Sequence, residues 1–463
     1  MAKPHSFPPP ASQADPANAR FDFLGHFFQL SAINIVSNLM VPLAGLIDTA
    51  FLGHLDDIRH LGGVALGAVI FNYLYWTFGF LRMGTTGTTA QAVGRQDEAE
   101  VWLVLLRNGA IALTVGLLIL LFQHPIREVG FWVLQATPAV KESGRAYYNG
   151  QIWGAPAALL DFVWMGWFLG RGRGRAVLLM SGVSNAVNVG CNYWFIVRLG
   201  LESQGAGMAT ALSQVAMALV GLALMSREWN GALIRAIAPQ LLNREALVAA
   251  FWLNSNIVIR TFALISTFAV FINLSSSMGT VILAANTLLL QVVSFSAYFV
   301  DGIAFATENF AGVFWGSGRP QKLVALTQLA GAVCLTLGLL TASLFVLFPQ
   351  PLFGLLTRHD EVLQQVSIYV GWLLPVLGFG SIAYMLDGYF LGLTAGHILR
   401  RSALISTFVG FAPLGAIATV LHNPHLLWLG LTGFMVARAA TLVAQLPQSF
   451  QPPSPLDLDT RSL

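Results

Sequence analysis

Long apolar runs alternate with short polar connections along almost the whole chain. Each run is about 20 residues long, the length of helix that crosses a hydrocarbon core about 30 Å thick. The pattern therefore predicts an all-α polytopic membrane protein. Its twelve transmembrane helices are expected at residues 27–52, 63–93, 101–122, 147–170, 176–197, 206–226, 247–273, 281–314, 325–348, 366–392, 401–421 and 425–446.

A polar stretch, SREWNGALIRAIAPQLLNRE, separates the sixth run from the seventh. Each group of six runs is expected to form one lobe, and the two lobes are expected to be pseudo-symmetric. The predicted boundaries are 1–20 for a disordered cytoplasmic tail, 21–230 for the N-lobe, 231–245 for a cytoplasmic linker between the lobes, 246–447 for the C-lobe and 448–463 for a cytoplasmic tail.

The two groups of runs contain similar local sequences about 220 residues apart. Gly166-Trp-Phe-Leu-Gly in the fourth run matches Gly388-Tyr-Phe-Leu-Gly in the tenth, and Pro156 precedes the first as Pro375 precedes the second. Six spans per copy is an even number, so both copies enter the membrane in the same orientation. A cavity is expected between or inside such halves, which suits alternating access.

The basic residues of the connections are concentrated on one side of the predicted membrane. Because cytoplasmic loops carry an excess of Lys and Arg, this bias predicts that both termini are cytoplasmic and that the chain lies in the inner (plasma) membrane. The basic residues on the cytoplasmic side are Arg95, Arg171, Arg173, Arg175, Arg227, Arg235, Arg244, Arg319, Lys322, Arg400 and Arg401.

The composition excludes several function classes. Hydrophobic residues make up 56% of the chain and charged residues 10%, and the net charge of +3 is too small to indicate nucleic-acid binding. The two cysteines both lie in apolar runs, so neither a disulfide framework nor a cysteine metal cluster is expected. The chain has no GxxxxGK[ST] phosphate loop, which argues against ATP as the direct energy source.

One acid, Asp48, lies inside the first apolar run. A charged side chain at mid-membrane costs roughly 2.5–3.5 kcal/mol on insertion scales, so it is seldom found there without a partner or a function. Pro42, six residues earlier, lacks a backbone N–H and is expected to bend the helix just before the acid. The combination predicts a site for a coupling ion.

Three asparagines in the fifth run share one face of a helix, because Asn185, Asn188 and Asn192 are spaced at i, i+3 and i+7. An amide stripe is costly against lipid, so this face is expected to look into protein or water. One interpretation is interhelical hydrogen bonding, worth about 1 kcal/mol per contact. The other is that the amides are polar neighbours of Asp48, which we favour for Asn188 and Asn192 and leave open for Asn185.

A second group of intramembrane charges is predicted in the C-lobe. Asp301 and Glu308 are two turns apart on one face of the eighth run, about 10 Å from each other. Arg260 in the seventh run is the expected partner of one of them, and Asp387 lies in the tenth run. These residues are either a structural ion-pair network or part of the transport cycle. Asp161 in the fourth run is interpreted as a structural acid that faces the bundle.

Several local sequences are typical of one family. They are VPLAGLIDTAFLGHL, FLRMGTTGTTAQAVGR, MGWFLGRGRGRA, SQGAGMATALSQ, LNSNIVIRT, LAAN and AYFVDGIAFATE. Together they resemble the MATE (multidrug and toxic compound extrusion) transporters, and the DinF-like branch in particular. The resemblance covers roughly residues 25–446. It implies two six-helix lobes and an antiporter that exports organic, often cationic, compounds against an inward flow of H⁺ or Na⁺.

The resemblance assigns the family's first-run acid to Asp48 and its fifth-run Asn-x-x-x-Asp pair to Asn188 and Asn192. Because the second member is Asn in this chain, one titratable group is missing and Asp48 is the expected N-lobe carboxylate. A sodium ion prefers more than one charged oxygen, so protons are favoured as the coupling ion over Na⁺. We expect no metal site, no cofactor beyond the ion gradient, small organic substrates and membrane lipid as partners, no nucleic acid, and a monomer.

Three other functions remain open on the sequence alone. One is a passive channel, although intramembrane acids in a two-fold repeat fit coupled transport better. A flippase-like exporter of lipid-linked or anionic substrates needs a cationic cavity, whereas the basic residues here lie mostly in the predicted cytoplasmic connections. A membrane-embedded enzyme needs a cluster of His and Asp near one interface, and the nine His are scattered along the chain. The sequence therefore favours a secondary active antiporter, not an enzyme.

Overall fold

The computed structural model describes residues 21–55 and 57–451, and these ranges contain helices and turns but no strand. The predicted tail at 1–20 lies outside the described residues. So does most of the predicted tail at 448–463, of which the structure describes only residues 448–451.

The helices follow one another along the chain with short connections. The first half contains α1 (Leu24–Gly53), α2 (Arg59–Thr77), α3 (Phe80–Gly94), α4 (Glu98–Leu121), α5 (Gln123–Val133), α6 (Pro138–Gln151), α7 (Ala155–Gly170), α8 (Gly174–Asn192) and α9 (Glu202–Ser226). The second half contains α10 (Gly231–Ile237), α11 (Arg244–Ser277), α12 (Thr280–Gly316), α13 (Pro320–Leu347), α14 (Pro349–Phe353), α15 (Asp360–Tyr369), α16 (Leu373–Gly392), α17 (Gly396–Ile405), α18 (Ala412–Val420), α19 (Pro424–Val443) and α20 (Leu446–Ser449).

Eleven helical segments of the described chain are long and apolar enough to cross a membrane, and they coincide with eleven of the twelve predicted runs. The remaining run, 176–197, is helix α8 continued by the π-helical turn Tyr193–Arg198. Its three asparagines lower its mean hydropathy below that of the other spans. Helix α8 nevertheless packs between α1 and α9 inside the bundle. The all-α polytopic fold predicted from the apolar runs is therefore confirmed.

The apolar side chains form separate cores in the two halves of the bundle. Buried tryptophan and phenylalanine side chains contribute to both cores, and large aromatic groups remove the most apolar surface from the surroundings. In the N-lobe they include Phe131, Trp167 and Phe168. In the C-lobe they are Phe271, Phe353, Trp428 and Phe434.

Helix α1 bridges the two lobes. At its start, Phe23, Phe27 and Leu30 pack into a core shared with the C-lobe. The Phe23 ring lies 5.6 Å from that of Phe310 and 5.2 Å from that of Phe314, both on α12. Further along, α1 packs against α8 of the N-lobe. A movement of α1 against α8 would therefore also alter the contacts of α1 with the C-lobe.

The two lobes are in backbone contact at the end of the bundle where α1 begins, which we call the N-terminal end. A Cβ atom on Gly94 of α3 would lie 2.3 Å from the carbonyl oxygen of Val313 on α12. A Cβ atom on Gly316 of α12 would lie 2.2 Å from the carbonyl oxygen of Gln91. Only glycine permits such an approach, so α3 and α12 pack directly against each other at this end.

Two amide side chains cross between the lobes at the same end, and we call this pair the amide lock. Gln91 of α3 donates from Nε2 to the carbonyl oxygen of Gly392, at 3.0 Å, at the end of α16. Asn309 of α12 donates from Nδ2 to the carbonyl oxygens of Leu169 and Gly170, at 2.8 and 2.7 Å, at the end of α7. The last carbonyls of a helix lack intrahelical donors, so each lobe satisfies a helix end of the other.

Replacing both amides of the lock, Gln91→Ala with Asn309→Ala, is expected to open the N-terminal end. Each hydrogen bond between membrane helices contributes about 1 kcal/mol, so losing the set shifts the closed-to-open ratio by about tenfold or more. The measurement is the distance between spin labels at positions 95 and 317, which are exposed at the ends of α3 and α12. The expected result is a new population at longer distance.

The matched control is Asn185→Ala, since among the described residues the Asn185 amide bonds to the Ser181 carbonyl of its own helix alone, at 3.0 Å. The labelled protein carries Cys191→Ala and Cys334→Ala so that only the introduced cysteines react. If the lock variant keeps the wild-type distance distribution, the lock does not hold the N-terminal end closed.

Candidate ion-coupling site and buried charge network

Asp48 lies five residues before the end of α1, about 8 Å from the end of the helix opposite the N-terminal end. Helix α1 stays helical through Pro42, which lacks a backbone N–H and so removes one backbone hydrogen bond about 1.7 turns before the acid. The carboxyl of Asp48 is half-buried and faces α8. Asp48 therefore lies inside the bundle, on the part of α1 in which Pro42 removes a backbone hydrogen bond.

The carboxyl of Asp48 is held by amides of α8. Asn192 donates from Nδ2 to Oδ1 of Asp48 at 2.5 Å, and the same Nδ2 lies 3.0 Å from Oδ1 of Asn188. Both asparagines are buried. The structure thus brings together Asp48, Asn188 and Asn192, as the helical spacing predicted. Asn185 is not part of this group, because its amide bonds back to its own helix.

Tyr147 of α6 is a further neighbour that the sequence did not single out. Its side chain is buried, and it interacts electrostatically with Asp48 and with the side chain of Thr210 on α9. In the sequence Tyr147 is one of many aromatic residues that core packing explains. The hydroxyl is the feature that could have identified Tyr147, because the hydroxyl of a buried tyrosine needs a polar partner.

In the C-lobe, one carboxylate is shared by two arginines. Asp387 of α16 accepts a hydrogen bond at Oδ2 from Nε of Arg260 on α11, at 3.0 Å, and further bonds from Nη2 of Arg260 and Nη2 of Arg438 on α19. All three side chains are buried. Arg438 was not predicted from the sequence, although it is a charge within an apolar run, the same signal that identified the acids.

A second buried pair joins the two lobes. Nη1 of Arg82 on α3 lies 3.7 Å from Oε2 of Glu308 on α12, and the guanidinium lies over the ring of Phe305, 4.0 Å from its centre. Glu308 is fully buried. A cation over an aromatic face gains further electrostatic stabilisation, so Arg82 is held on two sides.

The prediction that Arg260 pairs with Asp301 or Glu308 was wrong. Helix α11 directs Arg260 to Asp387, and Glu308 pairs with Arg82 instead. Asp301 has no direct ion pair within the described part of the chain, but it interacts electrostatically with the arginines around it. Spacing along one helix shows which residues share a face and does not show which helix lies opposite.

The two groups of polar residues differ in their charge. Asp48 is the only charged member of its group, and its hydrogen-bond partner is a neutral amide. The C-lobe and interface group balances three acids with three arginines: Asp301, Glu308 and Asp387 with Arg82, Arg260 and Arg438. A proton bound to Asp48 removes the only charge of its site, whereas a proton on Asp387 leaves two buried arginines with less compensation.

Comparison with known proteins agrees with the family resemblance found in the sequence. A family model described as MatE matches residues 34–194 and 257–419. The chain is 34% identical over 418 residues to DNA damage-inducible protein F of Escherichia coli (strain K12), with 89% of each chain covered. It is 21% identical over 422 residues to the "Probable multidrug resistance protein NorM" of Thermotoga maritima, with 87% of each covered.

The fold is also shared with solved structures. One, titled as the outward-facing conformation of a multidrug resistance MATE family transporter, superposes with a TM-score of 0.84 at 19% identity, covering 95% of this chain and 99% of the other. The Vibrio cholerae MATE transporter VcmN in its bent form gives 0.80 at 19% identity, covering 94% and 98%. The resemblance predicted from the motifs is confirmed. This chain belongs to the MatE family of multidrug and toxic compound efflux transporters, and it is a multi-pass membrane transporter, not an enzyme.

Proposed function

We propose that the protein is a secondary antiporter that exports organic cations in exchange for protons by alternating access, with Asp48 as the coupling carboxyl. The observation that carries the proposal is the hydrogen bond from Asn192 to Asp48, which places one carboxylate among neutral groups in the N-lobe. A proton and an organic cation compete for such a charge, since either one neutralises it.

The donor set favours protons over sodium. Na⁺ is held by several oxygens, and a second carboxylate would be needed to offset the cost of removing its water. In the Asp48 site, Asn192 provides an amide that donates its N–H to the carboxylate, so its NH₂ group faces the position a cation would take. In the C-lobe, Asp387 is already bonded to Arg260 and Arg438. A group with two arginines around one acid repels a further cation.

The proposed transport cycle starts with the two lobes in contact at the N-terminal end. We place this end, and both termini, on the cytoplasmic side of the inner membrane because of the basic connections. In the closed arrangement a proton from outside neutralises Asp48, which weakens its charge-assisted bond to Asn192. Helix α1 then repacks against α8 and the organic cation leaves.

The return step uses the bridging position of α1. Because Phe23 and Phe27 fix the start of α1 to the C-lobe, repacking near Asp48 shifts the balance between the lobes. The amide lock opens, Asp48 releases its proton to the cytoplasm, and a new substrate enters. The proposed partners are the organic substrate and the surrounding lipid, and the protein acts as a monomer with the proton gradient as its energy source.

Replacing the coupling carboxyl, Asp48→Asn, is expected to reduce gradient-driven export to the background of protein-free liposomes. The amide keeps the size of the side chain and cannot bind and release a proton. The measurement uses purified protein in liposomes with a fluorescent organic cation, and a proton gradient or a sodium gradient is imposed separately. Wild type should respond to the proton gradient alone.

The control is Asp48→Glu, which keeps a titratable carboxyl and should retain part of the export. Wild-type dye movement driven by sodium, or movement that survives in Asp48→Asn, contradicts the proposal. It would move the coupling site to the acids of the C-lobe.

The proposal also assigns a structural role to the C-lobe network. Asp387→Asn removes the charge that compensates Arg260 and Arg438, and breaking such a buried pair costs about 3–5 kcal/mol. Thermal unfolding in detergent, followed by tryptophan fluorescence, should show a lower midpoint. Adding Arg438→Met to Asp387→Asn removes one uncompensated charge and should restore much of the loss. An Asp387→Asn protein with wild-type stability but no transport would assign Asp387 to coupling instead.

A further inference from the structure

A cavity of about 760 Å³ is lined by both lobes near the N-terminal end, and we call it the N-terminal cavity. One wall belongs to α3 and α4 of the N-lobe and carries Thr88, Glu100 and Asn108. The opposite wall belongs to the C-lobe, where α11 carries Trp252 and Asn256. Cavities of roughly 300–1,000 Å³ accommodate drug-sized ligands. Within the described chain, neither the coupling site nor the C-lobe network contributes a side chain to this lining.

Two amide side chains in the walls have unused hydrogen-bonding groups. Asn108 is 9% exposed and forms no hydrogen bond with any residue of the described chain. Asn256 donates from Nδ2 to the carbonyl oxygen of Trp252 on its own helix, at 2.8 Å, while its Oδ1 is buried and has no partner among the described residues. Buried polar groups are nearly always hydrogen-bonded, so amides without partners in the lining of a cavity indicate that a ligand or water bonds to them.

The hydroxyl groups of the lining offer acceptors to a ligand. The hydroxyl of Thr88 donates to the carbonyl oxygen of Gly84, and that of Thr394 donates to the carbonyl oxygen of Leu393, both at 2.7 Å. Because each hydroxyl hydrogen is already used, only the oxygen lone pairs remain for a ligand. Two further amides, which can either donate or accept, belong to Gln445 and Gln448.

Glu100 is the one acid among the lining residues, and it is paired with Arg107. Nη1 of Arg107 donates to Oε1 of Glu100 at 3.1 Å, Nη2 donates to the carbonyl oxygen of Gln240 at 2.8 Å, and Nε donates to that of Leu241 at 3.4 Å. All three guanidinium nitrogens are therefore engaged. Oε2 of Glu100 forms no hydrogen bond with a residue of the described chain, so a ligand meets a carboxylate oxygen and not an unpaired guanidinium.

Aromatic side chains complete the lining, and they belong to Trp252, Trp315 and Phe390. The side chain of Trp252 is 56% exposed, so its ring is accessible. A cation placed over the face of a tryptophan ring gains electrostatic stabilisation. A flat aromatic cation can therefore stack on Trp252 while its N–H groups reach the acceptors of the walls.

The cavity adjoins the amide lock. Besides its bond to the carbonyl oxygen of Gly392, Gln91 donates from Nε2 to Oγ1 of Thr394 at 3.2 Å. Thr394 lies in the turn between α16 and α17, which lines the cavity. Opening of the lock would release this turn from α3. A ligand that contacts both walls is therefore bound only while the lobes meet at this end.

We propose that the N-terminal cavity binds the organic cation before the lobes part, with N–H groups of the cation donating to Glu100, Asn108 and Asn256 and its rings stacked on Trp252. The inference rests on the proposed export of organic cations, and it narrows the substrate class to flat cations that carry N–H donors. When the lobes part, the ligand loses one wall and is released from the cavity.

The first experiment measures binding of 9-aminoacridine, a flat fluorescent cation with an amino group, to purified Asp48→Asn protein in detergent. This background removes the carboxylate at which the proposed function places a cation, so the remaining binding reports on the cavity. One molecule is expected to bind per chain. Asn108→Leu with Asn256→Leu should weaken binding about tenfold or more, because leucine keeps the size of the side chain and removes the acceptor. Asn256→Asp adds a negative charge and should strengthen binding.

The matched control is Asn185→Leu in the same background. The amide of Asn185 is arranged like that of Asn256, because its Nδ2 bonds to the Ser181 carbonyl and its Oδ1 is buried without a partner among the described residues, but it does not line the cavity. The control should keep the affinity of the Asp48→Asn protein. Equal affinities of the cavity variant and the control overturn the proposal, and so does absence of binding to Asp48→Asn.

Protection of a cysteine tests the same site without altering the amides. Val248→Cys places a thiol in the lining, whereas Leu242→Cys places one outside it, at a side chain that is 84% exposed. Both proteins carry Cys191→Ala and Cys334→Ala. 9-Aminoacridine should slow maleimide labelling at position 248 and leave the rate at position 242 unchanged. An unchanged rate at position 248 overturns the proposal, and protection by added phospholipid alone overturns it by assigning the cavity to lipid.

The two proposals can fail separately. Proton-driven export by wild type without binding of 9-aminoacridine to Asp48→Asn refutes only this inference. Binding in the cavity without proton-driven export by wild type leaves the cavity as a cation site and refutes the proposed function.

Discussion

The structure depends on one constraint: a charge inside an apolar bundle has to be neutralised by a neighbouring charge or by a proton. In the C-lobe the first solution is used, because Arg260 and Arg438 share the carboxylate of Asp387. At Asp48 the neighbours are neutral amides, so only an exchangeable ion can neutralise the carboxylate. The same constraint therefore gives the Asp387 group a fixed balance of charge, whereas the Asp48 group is free to change its charge.

In the proposed cycle, helix α1 turns a local change of charge into a change of the whole bundle. One part of the helix carries Asp48 against α8, and its start is held to α12 by Phe23 and Phe27. Backbone contacts and the amide lock join the same lobes at the N-terminal end. The lock consists of a few hydrogen bonds of about 1 kcal/mol each, so the proposed cycle requires only a modest change at Asp48 to alter the balance between the lobes.

The sequence predicted those features that follow from hydropathy and helical period. The length of the apolar runs predicted the spans. Two rules together grouped Asp48 with Asn188 and Asn192: charges avoid lipid, and positions i, i+3 and i+7 share one face of a helix. Pairings between distant helices were not predictable, which is why Arg260 was assigned to the wrong acid. The amide lock could not be predicted from the sequence either, because Gln91 bonds to a backbone carbonyl and every helix end offers such carbonyls.

The most direct test of the coupling role of Asp48 is proton release when an organic cation binds to purified protein in lightly buffered detergent solution. If the cation and the proton compete for Asp48, a pH indicator should report proton release from wild type on cation binding and none from Asp48→Asn. Cation binding to wild type without proton release, or equal release from Asp48→Asn, would contradict the account.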